Sequence, residues 1–142
     1  MMKSILILFL ASGVLNAKFM RDDTKKVVLD TQTNLIWQDD INATTNSLNW
    51  SEAITYCEGL NLGEYSDWHL PNFNELYYLA NREKFNPAMD IGFSNVSTNN
   101  YWTSTTYADD SSHAWVVYFY NGDDRNRDKD NDNLVRCVRD GQ

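Results

Sequence analysis

Asp128, Asp130 and Asp132 alternate along the chain as the first ligands of a calcium loop do, and Asp123, Asp124, Asn131 and Asn133 add further hard oxygen donors around them. The pattern then departs from an EF-hand. Asn133 stands where the turn glycine belongs and Arg139 where the bidentate glutamate belongs. Arg125, Arg127 and Lys129 partly neutralise the aspartates, so a solvated charged loop is favoured over a calcium site, and no cofactor is expected. His69 and His113, the only histidines, lack metal-ligand spacing and a cysteine partner. Ser104, His113 and Asp109 supply the residue types of a hydrolytic triad, but no nucleophile-elbow pattern surrounds Ser104. A non-catalytic protein is expected.

The remaining chemistry is that of binding. Tyr107 and Tyr120 lie next to turns, where aromatic rings stay exposed, whereas Trp37, Trp50, Trp68, Trp102 and Trp115 sit inside regular elements or a rigid corner and read mostly as core. With Asp109, Asp110, His113, Arg125 and Arg127, the two tyrosines form the candidate ligand set, carried on loops 94–112 and 121–133.

These loops must be held by a scaffold, and the stretch from Trp50 to Leu76 organises it. Asn49 with Glu52, and Asn72 with Glu75, have capping-box spacing for two helices. In the first, Trp50, Ala53, Ile54, Cys57 and Leu60 form one apolar stripe on a helical period. Gly59 and Gly63 offer left-handed backbone to stop it, and Pro71 imposes an extended corner before the second helix, which packs through Phe73, Leu76, Tyr77 and Ala80.

Residues 27–38 read as a hairpin and residues 39–47 as a polar connection. Residues 81–100 form a long loop pinned by Phe85, Met89, Ile91 and Phe93. A strand at 101–105 precedes a strong, two-faced and therefore central strand from His113 to Tyr120, and the last strand runs from Leu134 to Arg139. Two helices packed on a small, mostly antiparallel sheet make an α+β domain.

The chain has 142 residues, enough for one domain with its own core. Lys3 followed by the apolar run Ile5 to Leu15 reads as a signal peptide over residues 1–17, leaving a flexible lead-in at 18–26 and a domain at 27–142. The run is too short to span a bilayer, so no membrane insertion is expected after cleavage. Loss of Lys3 takes the net charge from −8 to −9, which disfavours nucleic acid as a partner. A secreted or periplasmic chain with two cysteines, Cys57 and Cys137, is expected to bridge them, stapling the first helix to the last strand.

Leu35-Ile36-Trp37-Gln38-Asp39, Trp50-Ser51-Glu52-Ala53 with Cys57, Asp67-Trp68-His69-Leu70-Pro71-Asn72, Glu75-Leu76, Asn86-Pro87, Tyr101-Trp102-Thr103-Ser104-Thr105, Ala114-Trp115-Val116-Val117 and Val135-Arg136-Cys137-Val138-Arg139 occur in an order that resembles the Lcl C-terminal domain family. That family is a bacterial domain of unknown function whose namesake caps a collagen-like adhesin. The resemblance implies a C-type-lectin-like fold, glycan or cell-surface ligand binding and an adhesion-like role. His69 stands where the family usually has Arg, and Thr103 where it usually has Ser. The acidic balance weakens any expectation of sulfated glycans, and no collagen-like stalk is present to cause trimerisation. The alternative is an envelope structural or assembly protein that docks to protein partners without a small ligand.

Overall fold

β-branched and aromatic runs separated by Asn, Asp and Gly turns give nine strands and three helices over residues 17–141, which the structure, a computed structural model, describes. Strands β1 (Phe19–Asp22), β2 (Val27–Asp30), β3 (Leu35–Gln38) and β9 (Val138–Asp140) form a four-stranded antiparallel sheet in that order. Strands β4 (Ser47–Leu48), β8 (Asn133–Leu134), β5 (Asn100–Thr106), β6 (His113–Tyr118) and β7 (Asp123–Asp128) form the second sheet, antiparallel except where β8 runs parallel to β5. The helices are α1 (Asn42–Thr45), α2 (Trp50–Glu58) and α3 (Phe73–Leu79). The molecule is α+β.

Each sheet is apolar on both faces and feeds two cores. Met20, Val27, Leu29 and Ile36 from one sheet meet Trp102, Ala114 and Val116 from the other and Val135 from the segment after β8, with Ala53 and Cys57 of α2 closing that core. Val28, Trp37 and Val138 meet Tyr101, Val117 and Phe119 in the second core, closed by Leu76 and Leu79 of α3. Both capping boxes are present, Asn49 with Glu52 and Asn72 with Glu75. Cys57 and Cys137 are bonded, with Cα atoms 5.5 Å apart, so α2 is tied to the segment between β8 and β9. The corner before α3 is fastened to β9 by reciprocal backbone bonds between His69 and Val138, both 2.9 Å.

Several expectations are corrected, and one falls outside the described residues. The signal peptide, residues 1–17, lies outside the described residues apart from Ala17. Residues 18–26 are no loose lead-in, because Phe19, Met20 and Asp22 are buried in β1 and its turn, and β1 pairs with β2 along its whole length. The polar stretch 39–47 holds α1 and the start of β4. Residues 121–133 are mostly strand, since β7 pairs with β6 from His113↔Asp128 to Tyr118↔Asp123. An edge strand needs one ladder and can carry charged side chains, which also discourage pairing with other chains. The last strand divides into β8 and β9, one for each sheet. Gly59 stops α2 without left-handed backbone, at φ −97°, whereas Gly63 does adopt it at φ +63°.

Loop 81–99 is held by one buried carboxylate. Asp39 accepts from the backbone N–H groups of Ser94 (2.8 Å) and Asn95 (3.0 Å), and the Asn95 side chain donates to the Asp39 carbonyl at 2.8 Å. This fixes the approach to Asn99 and Asn100.

Candidate functional site

Strand register places Leu48, Asn133, Asn100, Tyr118 and Asp123 in one row across β4, β8, β5, β6 and β7. The next row inward on that face contains Val135, Trp102 and Val116, all fully buried. The face thus changes from core to polar within one pleat. At that polar end lies a cleft of about 350 Å³ lined by Thr44, Ser47, Asn99, Asn100, Tyr118, Asp132, Asn133 and Leu134.

The cleft walls are fixed by bonds that reach across the fold. Tyr101 donates its hydroxyl to the Ala43 carbonyl at 2.6 Å, setting α1 against β5. The Trp102 indole N–H donates to the Leu48 carbonyl at 2.8 Å, setting β4, and the Phe119 N–H donates to the Asn99 carbonyl at 3.1 Å. Tyr118 is held by Arg125, whose guanidinium lies 3.9 Å from the ring centroid, and by Tyr120, whose ring stacks at 6.0 Å.

Two amide atoms in this wall, Asn100 Oδ1 and Asn133 Nδ2, are shielded from solvent and have no hydrogen-bond partner among the described residues. Asn133 is only 9% exposed. An unpaired buried polar atom destabilises a fold by about 1–3 kcal/mol, and Trp37 Nε1, the Tyr65 hydroxyl and Arg139 Nη1 are in the same position elsewhere in the fold.

The candidate residues named from sequence spread along the β6–β7 hairpin. At one end Tyr107 packs edge-on against Trp115 at 5.0 Å, Asp109 is exposed, and Asp110 accepts from the N–H and hydroxyl of Ser112, which hold its pKa below the usual carboxylate range. His113 uses Nδ1 toward Asn126 Oδ1 at 2.8 Å and Nε2 toward Asp110 at 3.6 Å. Neither Ser104 nor Asp109 is its partner, so the triad types are not assembled.

Tyr120 stands beyond the other end, and Arg125 pairs with Val116 in the middle of the hairpin. Arg127 pairs with Ala114, beside His113, and donates to the Asn126 carbonyl. Asp128 accepts from the Asp130 N–H at 2.9 Å in a local turn, Asp130 is exposed, and Asp132 enters the cleft wall. Among the described residues, no three His, Cys, Asp or Glu side chains are grouped to hold a metal ion.

Trp37, Trp68 and Trp102 are buried, while Trp50 and Trp115 are only partly covered. Trp50 carries the Lys129 ammonium 4.0 Å from its ring centroid. Thr44, Ser47, Asn99, Asn100 and Tyr118 were not singled out by type, and Asn133 only as an oxygen donor beside the aspartates. The one local signal is that Asn100 and Asn133, poor strand formers, each open a strand with an apolar neighbour next in line.

The sequence model of the Lcl C-terminal domain matches residues 26–139. The chain belongs to that family. β1 lies ahead of the stretch matched to the Lcl C-terminal domain, and the cleft, the bridge and the corner between α2 and α3 all lie within it. Comparison with curated proteins finds no match. No described helix is long and apolar enough to cross a membrane.

Proposed function

We propose that this Lcl C-terminal domain is an exported, non-catalytic binding module of C-type-lectin-like architecture that recognises a glycan on a surface, in an adhesion-like role. The observation that carries the reading is the polar cleft. It collects Asn99 and Asn100 from loop 94–112 and Asp132 and Asn133 from segment 121–133, the two stretches whose composition pointed to ligand contact. Amide, hydroxyl and carboxylate groups around one aromatic ring are what recognition of a polyol requires. The ligand surface is smaller than the loops themselves, because β7 removes residues 123–128 from loop conformation.

A glycan array probed with the purified domain tests this, with Ser47→Trp as the blocked control, since Ser47 lies on the cleft wall and is exposed. Saccharide binding lost in the control is expected. Absence of binding with and without calcium would sink the reading.

A second reading, docking to an envelope protein, has one observation in its favour. Tyr107, Trp115, Phe73, Tyr77 and Tyr78 make a continuous run of rings with neighbouring centroids 5.0–5.3 Å apart, and Tyr78 is 67% exposed. Crosslinking in intact cells separates the two readings, because one stoichiometric protein partner trapped through Tyr78 would favour docking.

A further inference from the structure

We infer that the outer edge of β7 is a docking site for an extended cationic segment of another protein, added to the sheet as a further strand. This goes beyond the glycan reading and uses no residue of the cleft. The Lys129 N–H donates to the Ser112 carbonyl at 2.8 Å, one step past the β6–β7 ladder. Backbone bonding alternates along an antiparallel pair, so Arg127, Arg125 and Asp123 turn their backbone groups toward β6, and Asp128, Asn126 and Asp124 turn theirs outward. β6 agrees, since His113 and Phe119, which alternate with its β7-facing residues, bond toward Tyr107 and Asn99 instead. The Asp128 carbonyl is taken by the Asn131 N–H at 3.0 Å, and that of Asn126 accepts from Arg127 at 3.0 Å. Three N–H groups and the Asp124 carbonyl remain to receive a strand.

The other sheet edges are blunted. β4 has two residues, β9 is covered where Val138 bonds the His69 corner, and loop 81–99 lies against β1 where Gly92 meets Phe19. β7 has six residues, no proline and no bulge against β6, and no strand among the described residues pairs with its outer side. Charge is its one safeguard, and charge discriminates by sign. Asp124, Asn126 and Asp128 share a face with the partly exposed Trp115, which stands opposite Asn126, so cations laid along that face meet two carboxylates and an aromatic ring. Arg125 and Arg127 occupy the other face and repel cations there. The segment that fits therefore carries Lys or Arg at every second position and uncharged residues between. A second copy of β7 does not fit, because antiparallel pairing centred on Asn126 sets Asp124 opposite Asp128 and Arg125 opposite Arg127.

The test titrates the whole protein, labelled with nitrogen-15, with a peptide of alternating lysine and threonine. The same residues in two blocks, and a peptide of alternating glutamate and threonine, serve as comparisons. The alternating cationic peptide is expected to slow amide hydrogen exchange at Asp124 and Asn126 at least about tenfold, and to leave Arg125 and Arg127, already bonded to β6, unchanged. Block and acidic peptides are expected to give no such protection. Backbone N-methylation at the lysines, whose amides face β7, is expected to abolish it, and at the threonines to preserve it. Asp124→Lys, on an exposed side chain, is expected to weaken the cationic peptide about tenfold and to strengthen the acidic one, whereas Ser47→Trp in the cleft leaves both unchanged. No binding of the alternating peptide, binding without protection at Asp124 and Asn126, equal binding of the block peptide, or a preference unmoved by Asp124→Lys would each overturn the inference. Slow exchange at those two amides in the protein alone, increasing with its concentration, would overturn it in favour of a second copy. The glycan reading stands or falls separately, on the saccharide array.

Discussion

The Asp39 carboxylate and the Arg136 guanidinium meet at 3.4 Å with side chains 0% and 2% exposed, an ion pair formed inside the protein. Arg21 reaches the same carboxylate at 2.5 Å, and Arg136 also donates to the carbonyls of Gln38 and Asn95. One acidic group therefore joins β1, β3, loop 81–99 and the segment before β9. Asp39→Ala leaves Arg136 buried without its counterion, and a loss of about 3–5 kcal/mol in chemical denaturation is expected. A loss below about 1 kcal/mol would mean that water or a shifted side chain takes over the role.

Cys57→Ser and Cys137→Ser are expected to destabilise equally, with the double variant no worse than either, since each removes the same bond. The chain-entropy relation for a loop of this length gives roughly 4.5 kcal/mol. Denaturant midpoints of the three variants check this, and clear additivity would contradict it.

The corner between α2 and α3 gives a pH dependence. His69 Nε2 lies 3.2 Å from Glu75 Oε1, and that hydrogen bond raises the imidazole pKa above 6.5. Its stabilisation is complete below the unfolded imidazole value and is lost as pH rises through the folded one. For Glu75, burial raises the pKa but is outweighed by hydrogen bonds from His69 and the Asn72 N–H, so the net shift is downward. That contribution is present above the usual carboxylate range and is lost as pH falls through the lowered value. The contact therefore works in the window between them, weakly, because the imidazole is partly exposed. His69→Arg should keep the contact and abolish the loss on the alkaline side, as melting curves at stepped pH would show.

Asn72→Ala removes the acceptor for the Glu75 N–H and should cost about 1 kcal/mol, measured by urea denaturation. Asn72→Asp should retain most of that, because the carboxylate can take the same N–H and suits the positive end of the helix.

Calcium is expected to shift the melting temperature no more than magnesium does, and Asp130→Asn to leave both shifts unchanged. Asp128 is committed to a turn and Asp132 to the cleft, so the three aspartates do not converge. A calcium-specific rise abolished by Asp130→Asn would show that the ion gathers them.

What could be read from the sequence was what local pattern encodes. Caps, the stripe on α2 and the strong strand β6 each depend on neighbours within a few residues, and all are present. The bridge followed from cysteine number and strand alternation. β1 was missed because its four residues are flanked by charges and draw their burial from β2. β7 was missed because Asp123–Asp128 has no apolar face of its own and is a strand only through its ladder with β6. The cleft as a whole had no signature, although Asp132 and Asn133 stood out in the acidic run and two asparagines open strands. Its residues come from separate stretches that meet because β8 lies parallel to β5, a pairing that nothing local announces.

The stretch from Asn133 to Asp140 lends one strand to each sheet and places Cys137 between them. Until it leaves the ribosome, β3 and β5 each keep an open edge and Cys57 has no partner. Without this stretch neither core can close. The two sheets are therefore completed together, by one short stretch, and not one after the other.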